Sequence, residues 1–236
     1  MTGDENEFDG LTAVVTGTAQ GIGQAIAAEL ERGGATVVGV DRDTVDLSNT
    51  VQATAFIASL PAVDILVNNA GGVAGQTHTP IDELDDSDWF AVLDANLQTT
   101  FQSTRAAAGR MKKQGFGRIV TISSGAGRSV SLTGIQAYTT AKAAQIGFTR
   151  QLAHELGPFG ITVNCIAPGF VLSNPSSRAQ WESYGEDGQR ALVEKIATRR
   201  VGEPADIARG VRFFASPSAG WVSGQTLSID GGHSLF

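Results

Sequence analysis

The sequence predicts a single-domain α/β fold built on a doubly wound parallel sheet, and three observations carry that prediction. Short apolar runs alternate with helical patterns along nearly the whole chain. The runs are continuously apolar rather than alternating, as in strands covered by helices on both faces. A glycine-rich turn, Thr16-Gly17-Thr-Ala-Gln20-Gly21-Ile22-Gly23, joins the first run to the first helical pattern.

Taken in order, Leu11–Val15 reads as a buried strand. The helix after the turn carries Ile22, Ile26 and Leu30 on one stripe, and Gly33-Gly34 closes it. Ala35–Val40 is the second strand, with Asp41 at its end. Asp64–Val67 is another and runs into Asn68-Asn69-Ala70-Gly71. Trp89, Phe90, Leu93 and Leu97 mark a helix that bears Asn96. Arg118–Ile122 is a strand that delivers Ser123-Ser124. The helix of Tyr138 and Lys142 follows, with Ala144, Phe148, Leu152 and Leu156 spaced to pack, and Gly157-Pro158 stops it. Ile161–Ala167 ends in Pro168-Gly169, and Gln225–Ile229 ends in Asp230-Gly231-Gly232. No internal repeat is present.

With 236 residues, 42% of them hydrophobic, the chain can bury one large core. A formal charge of −7 argues against nucleic acid or an anionic membrane as partner. Cys165 is the single cysteine, so no intrachain disulfide forms, and its place in an apolar run reads as packing. No apolar run approaches the roughly 18 residues of a membrane span. The acidic start, residues 1–9, reads as neither signal nor transit peptide, and a flexible lead-in within a cytoplasmic protein is expected. His78, His154 and His233 lack metal-ligand spacing with acids or Cys165, so no catalytic metal is expected.

Two constellations carry chemistry. The glycine turn opens a helix after a strand, where unpaired N–H groups and the helix dipole attract phosphate. Gly17 permits the turn, Gly21 lets the backbone approach a pyrophosphate, and Gly23 allows close helix–strand packing. Asp41 lies where an adenosine ribose would sit; its carboxylate can accept from both hydroxyls and would repel a 2′-phosphate, although Arg42 beside it could greet one. Tyr138 and Lys142, four apart, share a helical face. An ammonium close to the phenol favours the phenolate, and a serine from the preceding strand end can bond the same reacting oxygen.

With these pieces in line, the sequence resembles the short-chain dehydrogenase/reductase family from Leu11 to Gly232. The family's T-G-x-x-x-G-I-G stands as Thr16–Gly23, its N-N-A-G as Asn68–Gly71, its helix asparagine as Asn96, its serine as Ser124, its Y-x-x-x-K as Tyr138 and Lys142, and its P-G as Pro168-Gly169. The resemblance implies a Rossmann-type fold and hydride exchange between a nicotinamide and an alcohol or carbonyl carbon. Tyr138 is then the acid/base and Ser124 orients the substrate oxygen, with Ser123 as its competitor. Lys142 lowers the tyrosine's pKa and holds the nicotinamide ribose, and Asn96 supports a proton-relay water. The cofactor, taken as NAD, is assigned to Gly17, Gln20, Gly21, Ile22, Gly23, Asp41, Asp46, Leu47, Asn69, Ala70, Gly71, Tyr138, Lys142, Pro168, Gly169, Val171 and Ser173. Within that set, Asp46-Leu47 flanks the adenine, and Asn69 and Val171 bind the ribose and carboxamide end.

The resemblance also implies a mobile substrate lid over residues 173–200 and a homotetramer through the paired helices of Asn96 and Tyr138, which carry Ala106–Ala108 and Ala143-Ala144. Trp181, Tyr184, Arg178, Gln136 and His78 are candidate substrate contacts. The leading expectation is an NAD-dependent oxidoreductase of a secondary alcohol or its ketone, of polyol, sugar-acid or hydroxy-acid type. An NADP-dependent 3-oxoacyl thioester reductase and a non-catalytic dinucleotide sensor are the alternatives.

One departure has a structural consequence. The family places a helix and a third strand, some twenty residues, between the acidic end of the second strand and its D-V/L motif. Here Asp41 and Asp46 are five apart. A parallel crossover needs a dozen or more residues, and four extended residues reach only about 14 Å. The helix and the edge strand after the second strand are therefore expected to be missing or reduced to a stub, leaving six principal strands.

Overall fold

A computed structural model describes residues 6–235. Six parallel strands form one sheet in the order β2-β1-β3-β4-β5-β6. They are β1 (Thr12–Thr16), β2 (Thr36–Val40), β3 (Ile65–Asn68), β4 (Gly117–Ile122), β5 (Ile161–Pro168) and β6 (Thr226–Ile229). The strand that would lie beyond β2 is absent among the described residues, so β2 is the edge, as the short gap requires. After Val40 the chain turns on Asp41, whose carbonyl accepts from the N–H groups of Thr44 and Val45 at 3.0 Å. It then runs directly to Asp46. Helix α2 (Thr50–Ser59) follows, capped by the Asn49 side chain, and carries the chain across β1 to β3.

Helices cover both faces because successive strand side chains point opposite ways. In β1, Ala13 and Val15 face α1 (Gly21–Arg32) and α8 (Pro204–Ala215), packing with Ile26, Leu30, Ile207 and Val211. Val14 joins the opposite cluster, with Leu66, Ile119 and Val163, against α2, α4 (Thr99–Gln114) and α5 (Gln136–Leu156). Helix α3 (Asp86–Leu93) enters α4 through a π-helical turn, Asp94–Gln98.

Of the lead-in expected to be flexible, residues 1–5 lie outside the described residues. The described part is packed: Phe8 is fully buried and its N–H donates to the Gly33 carbonyl at 2.7 Å. The segment expected to be a lid holds two helices, α6 (Pro175–Ser183) and α7 (Gly185–Lys195). Helix α6 buries no side chain and α7 buries only Leu192, so few apolar contacts fasten them. None of the described helices is long and apolar enough to cross a membrane.

Candidate active site

The carboxyl ends of the strands open into a cleft of about 1320 Å³. Parallel sheets place ligands there, where the strand order reverses about β1. Every residue assigned above to the cofactor lines this one cleft, from Gly17 to Ser173.

In the half nearest β2, helix α1 starts at Gly21. Its N-cap Gln20 is extended and offers no side-chain bond to the first-turn N–H groups, and no acid stands in that turn. The positive end of a twelve-residue helix thus meets the cleft without an internal anion, which fits a pyrophosphate. Gly17 has φ +76°, and a Cβ there would stand 2.9 Å from Asn69 Nδ2. A Cβ on Gly23 would overlap the Gly17 carbonyl oxygen. On Gly21 (φ +63°) it would stand 2.6 Å from the Ser173 carbonyl oxygen, so the lid's root rests on the glycine turn.

Asn69 holds this floor together. Its side-chain amide donates to the Thr16 and Gly17 carbonyls at 3.0 Å each, and its backbone N–H donates to Thr16 Oγ1 at 3.0 Å. The N–H groups that the resemblance would lend to a ribose are thus spent on shaping the wall. Asp41 is fixed as well: its Oδ2 accepts from the Thr18 N–H at 2.9 Å and from the Thr18 hydroxyl at 3.0 Å. Asp46 Oδ1 accepts from the Ser48 hydroxyl at 2.6 Å and the Ser48 N–H at 3.0 Å, and the Ser48 side chain is the main cause that holds its carboxyl below the usual range.

In the other half, β4 and α5 bring Ser124, Tyr138 and Lys142 together. Ser123 Oγ is buried and donates to the Lys142 carbonyl at 2.7 Å, tying strand to helix. Ser124 instead accepts from the Ala126 N–H at 3.1 Å, and its hydroxyl is close enough to the Tyr138 phenol to favour the phenolate. Of the two serines, Ser124 is thus the one that meets the tyrosine. Lys142 is buried, its Nζ donating to the Ile122 carbonyl at 2.9 Å and lying 5.6 Å from the Tyr138 ring centroid.

The expected lowering of the phenol's pKa by Lys142 is not what this site produces. Burial raises the Tyr138 phenol, opposed by its bond from Ser124, and burial lowers the Lys142 ammonium to about 8. The ammonium faces the ring and spends a proton on a carbonyl, so desolvation outweighs attraction for both groups.

That shift has a measurable consequence. Below pH 8 the lysine is protonated in the folded and unfolded chains alike. Between about 8 and 10.5 only the unfolded chain keeps that proton, so this group raises stability as pH rises. Cys165 behind it works oppositely between 9.0 and about 11, because burial pushes its thiol up. Lys142→Met isolates the lysine's share. In urea titrations the wild type is expected to gain about 2 kcal/mol relative to the variant between about pH 7.5 and about pH 10. Parallel pH profiles for the two proteins would contradict this.

Asn96 lies behind the wall rather than on it. Its side chain clasps Gly72, donating to the carbonyl at 2.7 Å and accepting from the N–H at 3.0 Å. Its own carbonyl accepts from Thr100 Oγ1 at 2.8 Å and from Gln145 Nε2 at 3.2 Å. A relay water on that carbonyl would therefore find both lone pairs engaged. Gln145, three residues beyond Lys142 and fully buried, leaves its Oε1 without a protein partner.

The expected substrate contacts stand outside the cleft. Trp181 and Tyr184 each pack at 5.9 Å against Phe170, supporting it from behind. Arg178 is exposed, Gln136 Nε2 donates to the Thr79 carbonyl at 2.9 Å, and His78 Nδ1 meets the Gly134 carbonyl at 2.8 Å. Among the residues that line the substrate end are Phe90, Val130, Leu132, Phe170, Gln180 and His233, interleaved with Ser129, Ser131 and Thr133. The signal for two of them was in the sequence: Val130 and Leu132 are apolar residues in a loop that follows a strand's carboxyl end.

The chain is similar to known proteins over nearly its whole length. Residues 45–234 match the family model described as enoyl-(acyl carrier protein) reductase. The chain is 36% identical to the (2S)-[(R)-hydroxy(phenyl)methyl]succinyl-CoA dehydrogenase subunit BbsD of Thauera aromatica, over 95% of this chain and 96% of the relative. It superposes with TM-score 0.85 on a 3-oxoacyl-[acyl-carrier protein] reductase with bound NAD from Brucella melitensis, at 30% identity over 98% and 95% of the two chains. A candidate 2-deoxy-D-gluconate 3-dehydrogenase with bound NADP from Agrobacterium tumefaciens gives TM-score 0.86 at 32% identity, over 98% of each chain.

Proposed function

The chain belongs to the short-chain dehydrogenase/reductase family, and from that premise we propose that it is an NAD-dependent oxidoreductase that interconverts a secondary alcohol and its ketone. The observation that carries this reading is the meeting of Ser124, Tyr138 and Lys142 in the same cleft as the uncapped start of α1. The first set can move a proton on and off a substrate oxygen, and the second can hold a dinucleotide's phosphates.

When bound, the dinucleotide supplies or accepts the hydride at its nicotinamide. The chain's own residues do the rest. Ser124 donates to the substrate oxygen and fixes it beside the Tyr138 phenol. Tyr138 gives its proton to that oxygen in the ketone-reducing direction and takes it back in the other. Lys142 stands next to that phenol with its ammonium softened to about 8, near enough to neutrality to exchange protons itself. Gly17, Gly21 and the first turn of α1 seat the pyrophosphate, with Asp41 and Asp46-Leu47 on the adenosine side. Purified protein with NAD or NADP and a panel of secondary alcohols and ketones, followed by nicotinamide absorbance, tests the reading. Absence of turnover with both cofactors would end it.

The preference for NAD rests on Asp41. Thr18 holds the carboxylate at the end of β2, where a 2′-phosphate would meet its charge. NAD is expected to be used with the higher kcat/KM, and Asp41→Ser is expected to narrow the gap by about tenfold, the worth of roughly 1.4 kcal/mol. A wild type that prefers NADP would show that Arg42 outweighs the carboxylate.

A further inference from the structure

The substrate end of the cleft differs from the cofactor end in chemical character. Phe90, Val130 and Leu132 stand 56%, 86% and 55% exposed, although each is large and apolar. They come from two separate segments, α3 and the loop between β4 and α5, and all line the same cleft. Phe170 adds a fourth apolar wall, held in place by Trp181 and Tyr184. Exposed apolar residues that converge on one cavity mark the place where an apolar ligand surface is covered.

Charge is distributed just as unevenly. Among the described residues that line the cleft, Arg42 is the only arginine and lies at the adenosine side, and Lys142 is the only lysine and is committed to Ile122. The substrate end carries two acids, Asp94 and Asp230, and a single histidine, His233. Asp230 is spent on its own turn, one oxygen accepting from the Gly232 N–H and the other from the Ser234 N–H, both at 2.9 Å. That turn seats His233 on the cavity wall. Two arginines adjoin this end in sequence and neither lines the cleft: Arg128 donates to the Ser228 hydroxyl at 2.8 Å, and Arg178 of the lid is exposed.

Resting on the oxidoreductase reading above, we infer that the substrate is uncharged around its reacting carbon and carries an apolar chain or ring on one side of it. A bare carboxylate or phosphate there would exchange water for apolar side chains and the neutral hydroxyls of Ser129, Ser131 and Thr133, gain no cation and meet the field of Asp94, whereas an ester, thioester, ring or alkyl group would cover Phe90, Val130, Leu132 and Phe170. Sugar acids and free hydroxy or keto acids are thereby disfavoured, whichever relatives use them. His233, on the same wall, can offer such a ligand a hydrogen bond from its ring.

A matched pair of substrates tests this with the reacting carbon held constant. Ethyl acetoacetate and acetoacetate share the ketone and differ in the charge of the neighbouring group. With the wild type and NADH the ester is expected to exceed the free acid in kcat/KM by at least about 10²-fold, because the acid brings an unpaired charge into an apolar site. Leu132→Arg places a cation at that exposed position and is expected to shrink the ester-to-acid ratio by about tenfold. Equal or better use of the free acid by the wild type would overturn the inference and leave the oxidoreductase reading standing. Failure of both substrates, and of neutral cyclic and long-chain ketones with either cofactor, would overturn both.

Discussion

Tyr138→Phe is expected to lower turnover by about 10²–10⁴-fold while the dinucleotide still binds. The substitution removes one oxygen and keeps the ring that the Lys142 ammonium faces at 5.6 Å, so the cleft keeps its shape. What disappears is the phenol oxygen beside the Ser124 hydroxyl. The glycine turn, Asp41 and Asp46, proposed above to hold the dinucleotide, lie at the other end of the cleft and do not depend on that oxygen. The decisive comparison is single-turnover hydride transfer beside NADH binding by fluorescence. A variant that keeps half its turnover would remove Tyr138 from the mechanism. Loss of binding along with turnover would show that the tyrosine holds the cofactor rather than the proton.

Gly23→Ala is expected to be the most damaging single methyl group in the glycine turn. Its Cβ would overlap the Gly17 carbonyl and come within 2.5 Å of the Asn69 amide nitrogen. Neither neighbour can yield cheaply: Gly17 is held by a bond from its N–H to the Val40 carbonyl, and Asn69 is pinned to both Thr16 and Gly17. Overpacking of this kind costs about 1–3 kcal/mol of stability. Because the displaced atoms form the floor on which the pyrophosphate is proposed to rest, dinucleotide affinity is expected to drop by at least about tenfold. Urea unfolding and an NADH titration on the same preparation measure the two losses. If both are unchanged, the close packing at Gly23 is not what shapes this turn.

The sequence made the sheet legible because each strand is a short, mainly apolar run that stops at a turn-forming residue: Gly17, Asp41, Asn69, Ser123, Gly169 or Asp230. It made the missing strand legible because the spacing of Asp41 and Asp46 is a matter of chain length alone. Helix α8 was equally readable and went unassigned, with Pro204 in its first turn, a Glu203–Asp206 capping box, and Ile207, Val211 and Phe214 on one face. Helix α2 was harder, since Val51 and Phe56 blur any apolar stripe and only Ala53 and Ile57 are buried. Motif spacing gathered the cofactor side, where function is written in backbone geometry and in glycines that nothing else can replace. The substrate side escaped because it depends on which way loops turn. Aromatic residues of the lid pointed to Trp181 and Tyr184, yet both lean on Phe170, and it is Phe170 that faces the cavity.

The loss of the outermost strand has a further consequence, for solvent exchange at the rim of the sheet. Thr36 donates to the Leu11 carbonyl and Gly17 donates to the Val40 carbonyl, which fixes the phase of the ladder. Thr36, Val38 and Val40 turn their main-chain groups toward β1, so the N–H groups of Val37 and Gly39 point away from it, toward the side where another strand would have paired. Deuterium uptake along β2 should therefore come in two speeds, slow at Val38 and Val40 and fast at Val37 and Gly39. The same bare groups form a template for a foreign strand, and the brevity of β2, five residues that end in Asp41-Arg42-Asp43, limits how far such pairing could spread.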